Sequence, residues 1–424
     1  MRARLSGAVR TTFRSLHVRN FRLFFVGQLI SQIGTWLTTV ALTLLVLHLT
    51  KSGLAVGALV ACQFGPVLLL GAYGGVVADR ADKRRLLLIT QTLQMLQSFT
   101  LAAVAFMHHP PLAAFFVTAS AGGLILAFDN PARRSFVAEM VPEDEVHNAV
   151  TLNSALMTSS RIFGPALAGV LVVTAGYGWA FAVDGISYVA VIAGISMMRT
   201  AELRPSPRTQ RGKGQIREGL RYVRKVPELW VPMVMVTIVG TLTFNFSVVL
   251  PLFAERTLRG SDTTYTLLYS LLSVGSFLGA LFTAHRRSID VGHIVFASAG
   301  FGVAMLILAT MPNLVSAFPV AILVGFFSIA FMAASTAIVQ VRADPAMRGR
   351  VLALQAMVLI GSTPIGGPIL GAVCDIFGAR SGLAIGGVAA IVAAGYGRIA
   401  TSQRRATASG LLPAAGWARR LREG

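Results

Sequence analysis

The chain has 424 residues, 54% of them apolar and 13% charged, with a mean hydropathy of +0.69. Soluble domains carry about 25% charged residues, so this is an all-α integral membrane protein and not a soluble enzyme. The net charge of +20 does not mark a nucleic-acid reader, because the cations fall between apolar stretches and no long polar domain gathers them.

A crossing helix needs about 20 mostly apolar residues. By that measure twelve spans are expected, at 21–49, 53–78, 86–107, 111–131, 149–174, 178–198, 231–254, 264–284, 292–311, 315–340, 351–374 and 380–399. The first 20 residues are basic and polar, without a signal-peptide pattern, so the first span is expected to direct insertion. On span 1, Gln28, Gln32 and Thr35 share one helical face beside Trp36, a candidate cavity wall. Cys62 in span 2 and Cys374 in span 11 support neither a disulfide framework nor a metal site, and no cofactor is expected.

Between spans 2 and 3 the segment from Gly75 to Arg85 makes a short reversal at the membrane surface. It sets Asp79, Arg80, Lys83, Arg84 and Arg85 among helix ends and lipid headgroups. Asp129 falls near the end of span 4. Span 5 carries the cavity candidates Asn153 and Ser154, the cation Arg161 and the cluster Gly164, Pro165 and Gly169, and span 6 carries Asp184. Ionisable residues at bilayer depth are costly and functional by default. Arg161 lies about 12 residues, roughly 18 Å, into its span, and Asp184 about 6 residues, roughly 9 Å, into its own from the opposite side. These depths match, so the two are expected to pair or to face one polar cavity. Asp184 is then the candidate proton carrier; a static ion pair between spans 5 and 6 is the plainer alternative.

Residues 199–229 form the one long polar connection, and its part IREGLRYVRKV places Ile216, Leu220 and Val223 on one face. It is expected to lie on the cytoplasmic leaflet, as is the basic tail 401–424 with Trp417 beside Arg419, Arg420 and Arg422. In the second half Asn245 on span 7 and Gln355 on span 11 are further cavity candidates. Phe64, Phe244, Phe246, Phe326 and Phe327 could supply stacking surface for a bulky amphiphile, or simply pack. Glu255, Asp375, His48, His108 and His109 read as interfacial.

The halves repeat. Pro142 precedes Gly164 by 22 residues and Pro345 precedes Gly367 by the same interval, at an offset of 203, and Pro368 and Gly371 continue the match. Gly71 and Gly75 match Gly275 and Gly279 at an offset of 204. Two pseudo-symmetric six-helix bundles are expected, 1–198 and 230–400, with small residues letting helices approach and prolines loosening them, or serving packing alone. With both termini cytoplasmic, 32 of the 37 Lys and Arg residues face inward and 4 outward, Arg161 being the other, which sets the orientation.

These motifs resemble the major facilitator superfamily over about residues 15 to 400. The family's loop pattern G-x-x-x-D-R-x-G-R-R/K is met by Gly75, Asp79, Arg80, Lys83 and Arg84, with Asp82 in place of the second glycine. Arg161, Gly164, Pro165 and Gly169 look like the span 5 signature of antiporting exporters, and FDNPARRSFV resembles the subgroup of enterobactin and drug exporters. The resemblance implies a twelve-span fold, with Asp79 near the start of span 11 and Lys83 reaching Asp129 as a latch. It also implies export of a bulky organic molecule in exchange for protons by a monomer in contact with membrane lipid. A facilitative or proton-coupled importer of a small metabolite is the alternative. No phosphate-cradling GxxxxGK[ST] motif and no clustered catalytic side chains occur, so no enzyme activity is expected.

Overall fold

The computed structural model describes residues 13–204, 215–286 and 289–408; the basic tail with Trp417, Arg287, the middle of the linker and the Ile216 side chain lie outside what it describes. Twelve helices among the described residues are long and apolar enough to cross a membrane. They are α1 (Arg19–Thr50), α2 (Gly53–Arg80), α3 (Lys83–Ala105), α4 (Leu112–Glu139), α5 (Val146–Ala175), α6 (Tyr177–Ser196), α7 (Pro227–Leu242, resuming after a break as Phe246–Leu252), α8 (Asp262–Ala284), α9 (Val291–Thr310), α10 (Leu314–Arg342), α11 (Pro345–Phe377) and α12 (Ala379–Ala408). Every expected span is present. The largest shifts are at the ends of α12, which continues to Ala408 where the apolar run stops at residue 399, and of α4, which continues to Glu139 where it stops at residue 131. The hydropathy measure halts at the charged pair Arg133 and Arg134, but the backbone ladder continues because Arg133 finds a partner one turn back, as described below.

Helix ends follow from local chemistry. Ser52, Asp82, Asp290 and Asn313 cap α2, α3, α9 and α10, each accepting a backbone N–H three residues on. Two reversals carry no such residue. Gly176 between α5 and α6 has φ +87° and Gly378 between α11 and α12 has φ +86°, a backbone region open to glycine and strained for side chains with a Cβ. They are 202 residues apart and repeat the same corner in each half.

By its packing the chain divides into two compact units, Met1–Gln210 with Gly260–Ser270, and Arg211–Arg259 with Leu271–Gly424. In the first, Gly123 of α4 meets the Gln63 carbonyl of α2 and Gly74 of α2 meets the Ala127 carbonyl of α4, so closely that a Cβ at either position would collide. The second unit repeats this device: Gly325 of α10 against the Leu272 carbonyl, and Gly275 and Gly279 of α8 against Ile322 and Phe326. Without hydrophobic drive between helices in lipid, such backbone contact is what holds them. The expected register is corrected by one place: Gly74 makes the contact corresponding to that of Gly279, whereas a Cβ on Gly71 would meet only a Val67 methyl at 3.9 Å.

The linker contains a helix, Gln215–Lys225, and it makes contacts with α11. Val223 is fully buried, Gly219 stands against Leu354 of α11, Arg350 pairs with Glu218 at 2.7 Å, and the Asp344 backbone donates to the Tyr222 hydroxyl at 3.0 Å.

Candidate functional site

A buried polar file runs through the first unit between α1, α3, α4 and α6. At one end is Asp184, 1% exposed. Its Oδ2 accepts hydrogen bonds from Thr38 of α1 and Ser98 of α3, both at 2.7 Å, and the Ser187 hydroxyl donates to its backbone carbonyl at 2.7 Å. Oδ1 has no hydrogen-bond partner and no cation pairs with the carboxyl among the described residues. Gly34 makes room for it, since a Cβ there would stand 2.5 Å from Oδ1. An ionised carboxylate so enclosed, with two hydroxyl donors and no countercharge, is costly, and the group can take a proton without breaking an ion pair.

One turn on from Asp184, Tyr188 brings its hydroxyl to 3.5 Å from Thr35 Oγ1. One to two turns along α1, Gln28 is buried and its Oε1 accepts from Arg133 at 3.1 Å and from Gln32 at 3.5 Å. Arg133 in turn pairs with Asp129, which is fully buried and accepts from Thr90 and Gln91 at 2.8 Å each. The file thus has a neutralised end at Asp129 and Arg133 and an end without countercharge at Asp184. Gln28, Gln32 and Thr35 do form one polar face, as their spacing predicts.

Arg133 and Gly34 escaped the sequence reading. Arg133 sits beside Arg134 in a run that reads as topology signal, yet the i,i+4 spacing from Asp129 was visible. Of the two expected arrangements of Arg161 and Asp184, a pair or a shared polar cavity, the pair is not formed: Arg161 is exposed on α5, while Asp184 is enclosed by α1 and α3. Equal depth along two helices fixes height and leaves direction around the axis open.

At the α2–α3 loop, Lys83 does not reach Asp129. It forms a buried pair with Glu139, the last residue of α4. Lys83 opens α3 at the loop end of the bundle, level with the end of α4, and Asp129 lies ten residues deeper, roughly 15 Å. Arg84 donates to the Ile195 and Ser196 carbonyls at 3.1 and 3.0 Å, closing the end of α6. Asp82, in the slot where the family carries glycine, is the cap of α3 and accepts from the Arg85 backbone at 3.1 Å. Gly75 is buried in α2, Asp79 half-buried and Arg80 exposed.

In α5, Gly164 lets the Trp36 ring approach and Gly169 does the same for Thr266, with Pro165 between them. Trp36 lies 5.7 Å from Tyr269, centroid to centroid. Asn153 is half-buried. In the second unit, Asn245 stands at the break in α7, donating to the Thr241 carbonyl at 2.7 Å, with Oδ1 buried and without a hydrogen-bond partner among the described residues. Gln355 is tied to Ser335 at 2.8 Å. Pro368 is inside α11 and Gly367 and Gly371 are buried there, but the glycine in backbone contact with α7 is Gly366, against the Thr241 carbonyl. Phe244 and Phe246 pack with Phe301, at 5.4 and 6.1 Å, as core. Among the described residues no cluster of His, Cys, Asp and Glu could hold a metal ion.

The transmembrane secretion effector family matches residues 10–421. The staphyloferrin A transporter of Staphylococcus aureus is 22% identical over 87% of this chain and 93% of its own length. The multidrug efflux pump Tap of Mycolicibacterium fortuitum is 26% identical, covering 84% and 89%, and the enterobactin exporter of Escherichia coli is 21% identical, covering 83% and 84%. Among solved structures, the POT family transporter PepTSo shares the fold at a TM-score of 0.75 and 12% identity, covering 92% of this chain and 98% of that one. A D-xylose-proton symporter does so at 0.71 and 15%, covering 89% and 96%.

Proposed function

Because this chain belongs to the transmembrane secretion effector family of the major facilitator superfamily, a family of multi-pass transporters, we propose that it exports a bulky organic molecule in exchange for protons. Siderophore-like and drug-like cargoes are the classes the named relatives suggest. The observation that carries the coupling is Asp184, a carboxyl fully inside the first unit with hydroxyl donors and, among the described residues, no cation paired with it. In this reading the proton binds at Asp184 and reaches it by way of the Tyr188 and Thr35 hydroxyls. Gln28 and the Asp129–Arg133 pair polarise the opposite end of the file and keep its charge fixed.

The protein would sit in the inner membrane as a monomer, surrounded by lipid, with both termini cytoplasmic, the side to which 32 of 37 cations would fall. The loop residues Gly75, Asp79, Arg80, Lys83 and Arg84 would then brace the cytoplasmic end. The glycine and proline positions of α5 and α11 would let those helices tilt during alternating access. Asn153, Asn245 and Gln355 would offer polar contacts to cargo, Asn245 above all, since a broken helix exposes hydrogen-bonding groups.

The test is transport in everted vesicles with a panel of siderophores and macrolides. Accumulation should depend on the proton gradient and vanish when a protonophore collapses it. Accumulation that persists without the gradient would defeat the antiport reading.

A further inference from the structure

The second unit carries a cleft between α8, α9 and α10. Four rings form an arc across the three helices: Phe282 stands 5.3 Å from Phe326, Phe326 5.2 Å from Phe327, and Phe327 6.1 Å from Phe296. They line a shallow cleft whose floor is made by the small buried residues Ala330 and Ala334. Its mouth is open, with Phe282 44% and Phe296 64% exposed.

Among the described residues one cation, Arg286, stands over this mouth. The Arg286 guanidinium lies 4.7 Å from the Phe282 ring centre, and its Nη1 is 3.2 Å from His293 Nε2. His293 is itself engaged by Asp290, with Nδ1 at 2.6 Å from Oδ1 and the His293 backbone donating to the same oxygen at 3.1 Å. Burial works to raise the Asp290 carboxyl, but the His293 hydrogen bonds hold it below the ordinary carboxylate range, so its charge is committed to the helix cap. Arg286 thus stands beside an apolar cleft, held in place by a ring face and an imidazole, and no carboxylate pairs with it among the described residues.

We infer that this cleft binds an anionic phospholipid, its acyl chain in the arc of Phe282, Phe326, Phe327 and Phe296 and its phosphodiester on Arg286. The charge at the mouth selects the head and the aromatic walls with a small-residue floor take the chain. A cation at the membrane surface above an apolar slot between helices suits a lipid with negative charge at the head. The inference rests on the orientation proposed above only for the leaflet, which is the cytoplasmic one; binding itself does not depend on it.

The experiment is native mass spectrometry of the full-length protein, with phosphatidylglycerol and phosphatidylcholine of identical chains offered in competition. Phosphatidylglycerol should be retained in preference by about fivefold, the ratio one interfacial cation supports. Arg286→Gln should abolish the preference while Arg286→Lys keeps most of it, and Ala334→Phe, which fills the floor, should lower retention of both lipids. An equal retention of the two lipids by the wild type, or an undiminished preference in Arg286→Gln, would overturn the inference. So would displacement of phosphatidylglycerol by millimolar inorganic phosphate, which would make the site one for a free anion. Arg286 is on the surface, so unchanged thermal melting of its variants shows that folding is not the variable measured. Labelling of a cysteine placed at His285 from one membrane side reports orientation separately, and so distinguishes failure of the leaflet assignment from failure of binding.

Discussion

Lys83 and Glu139 show how much a single pairing depends on where helices end. Both are nearly buried, and together they tie the first residue of α3 to the last of α4. Removing one charge breaks a buried ion pair, which costs about 3–5 kcal/mol. Lys83→Met alone and Glu139→Gln alone should therefore each lower stability strongly, whereas the double variant should recover most of the loss. A double-mutant cycle of unfolding in detergent checks this, and additive losses would show that the two side chains do not depend on one another. The residue types here were legible in the sequence, since the loop motif singles out Lys83. Its partner was not, because the apolar run ends eight residues before α4 does. Asp184 and Arg161 teach the same point in another form: depth could be counted along each helix, but the direction of each side chain is set by neighbours, and Gly34, Thr38 and Ser98 gave no periodic signal that they enclose a carboxyl.

At the scale of helices, packing in each unit turns on glycine against carbonyl. Gly123→Val would drive a branched side chain into the Gln63 carbonyl, a backbone group that cannot swing aside. The expected loss is at or above the upper end of ~1–3 kcal/mol for overpacking. Gly71→Ala, which would meet only a Val67 methyl at 3.9 Å, should be close to neutral. Thermal unfolding followed by size-exclusion chromatography compares the pair; equal stability would refute the contact. The existence and order of all twelve spans could be read from apolar length. The exact glycines could not, because abundance makes a match at offset 204 as easy to find as the structural one, which runs through Gly74. The corners at Gly176 and Gly378 repeat as clearly as the proline pattern, and their meaning depends on a backbone angle that the sequence does not display. The linker helix shows the converse: its amphipathic face was evident, and the contacts of Glu218, Gly219 and Tyr222 with α11 were not.

Across the whole molecule, the division into two compact units with the same glycine device and the same corner fits a duplicated transporter, and membership of the secretion effector family accords with that design. The polar file lies entirely in the first unit, so the two halves are alike in packing and unlike in charge. Coupling is therefore proposed to reside in one half, with cargo contacts such as Asn245 in the other. The measurement that addresses this most directly uses proteoliposomes containing Asp184→Asn, with a cargo identified from the siderophore and macrolide panel. The substitution keeps the side chain's size and an acceptor oxygen for Thr38 and Ser98 but cannot exchange a proton. Counterflow of labelled cargo should continue near the wild-type rate, while an imposed proton gradient should no longer drive accumulation. Gradient-driven accumulation at the wild-type rate in Asp184→Asn would contradict the account and remove Asp184 from the coupling step.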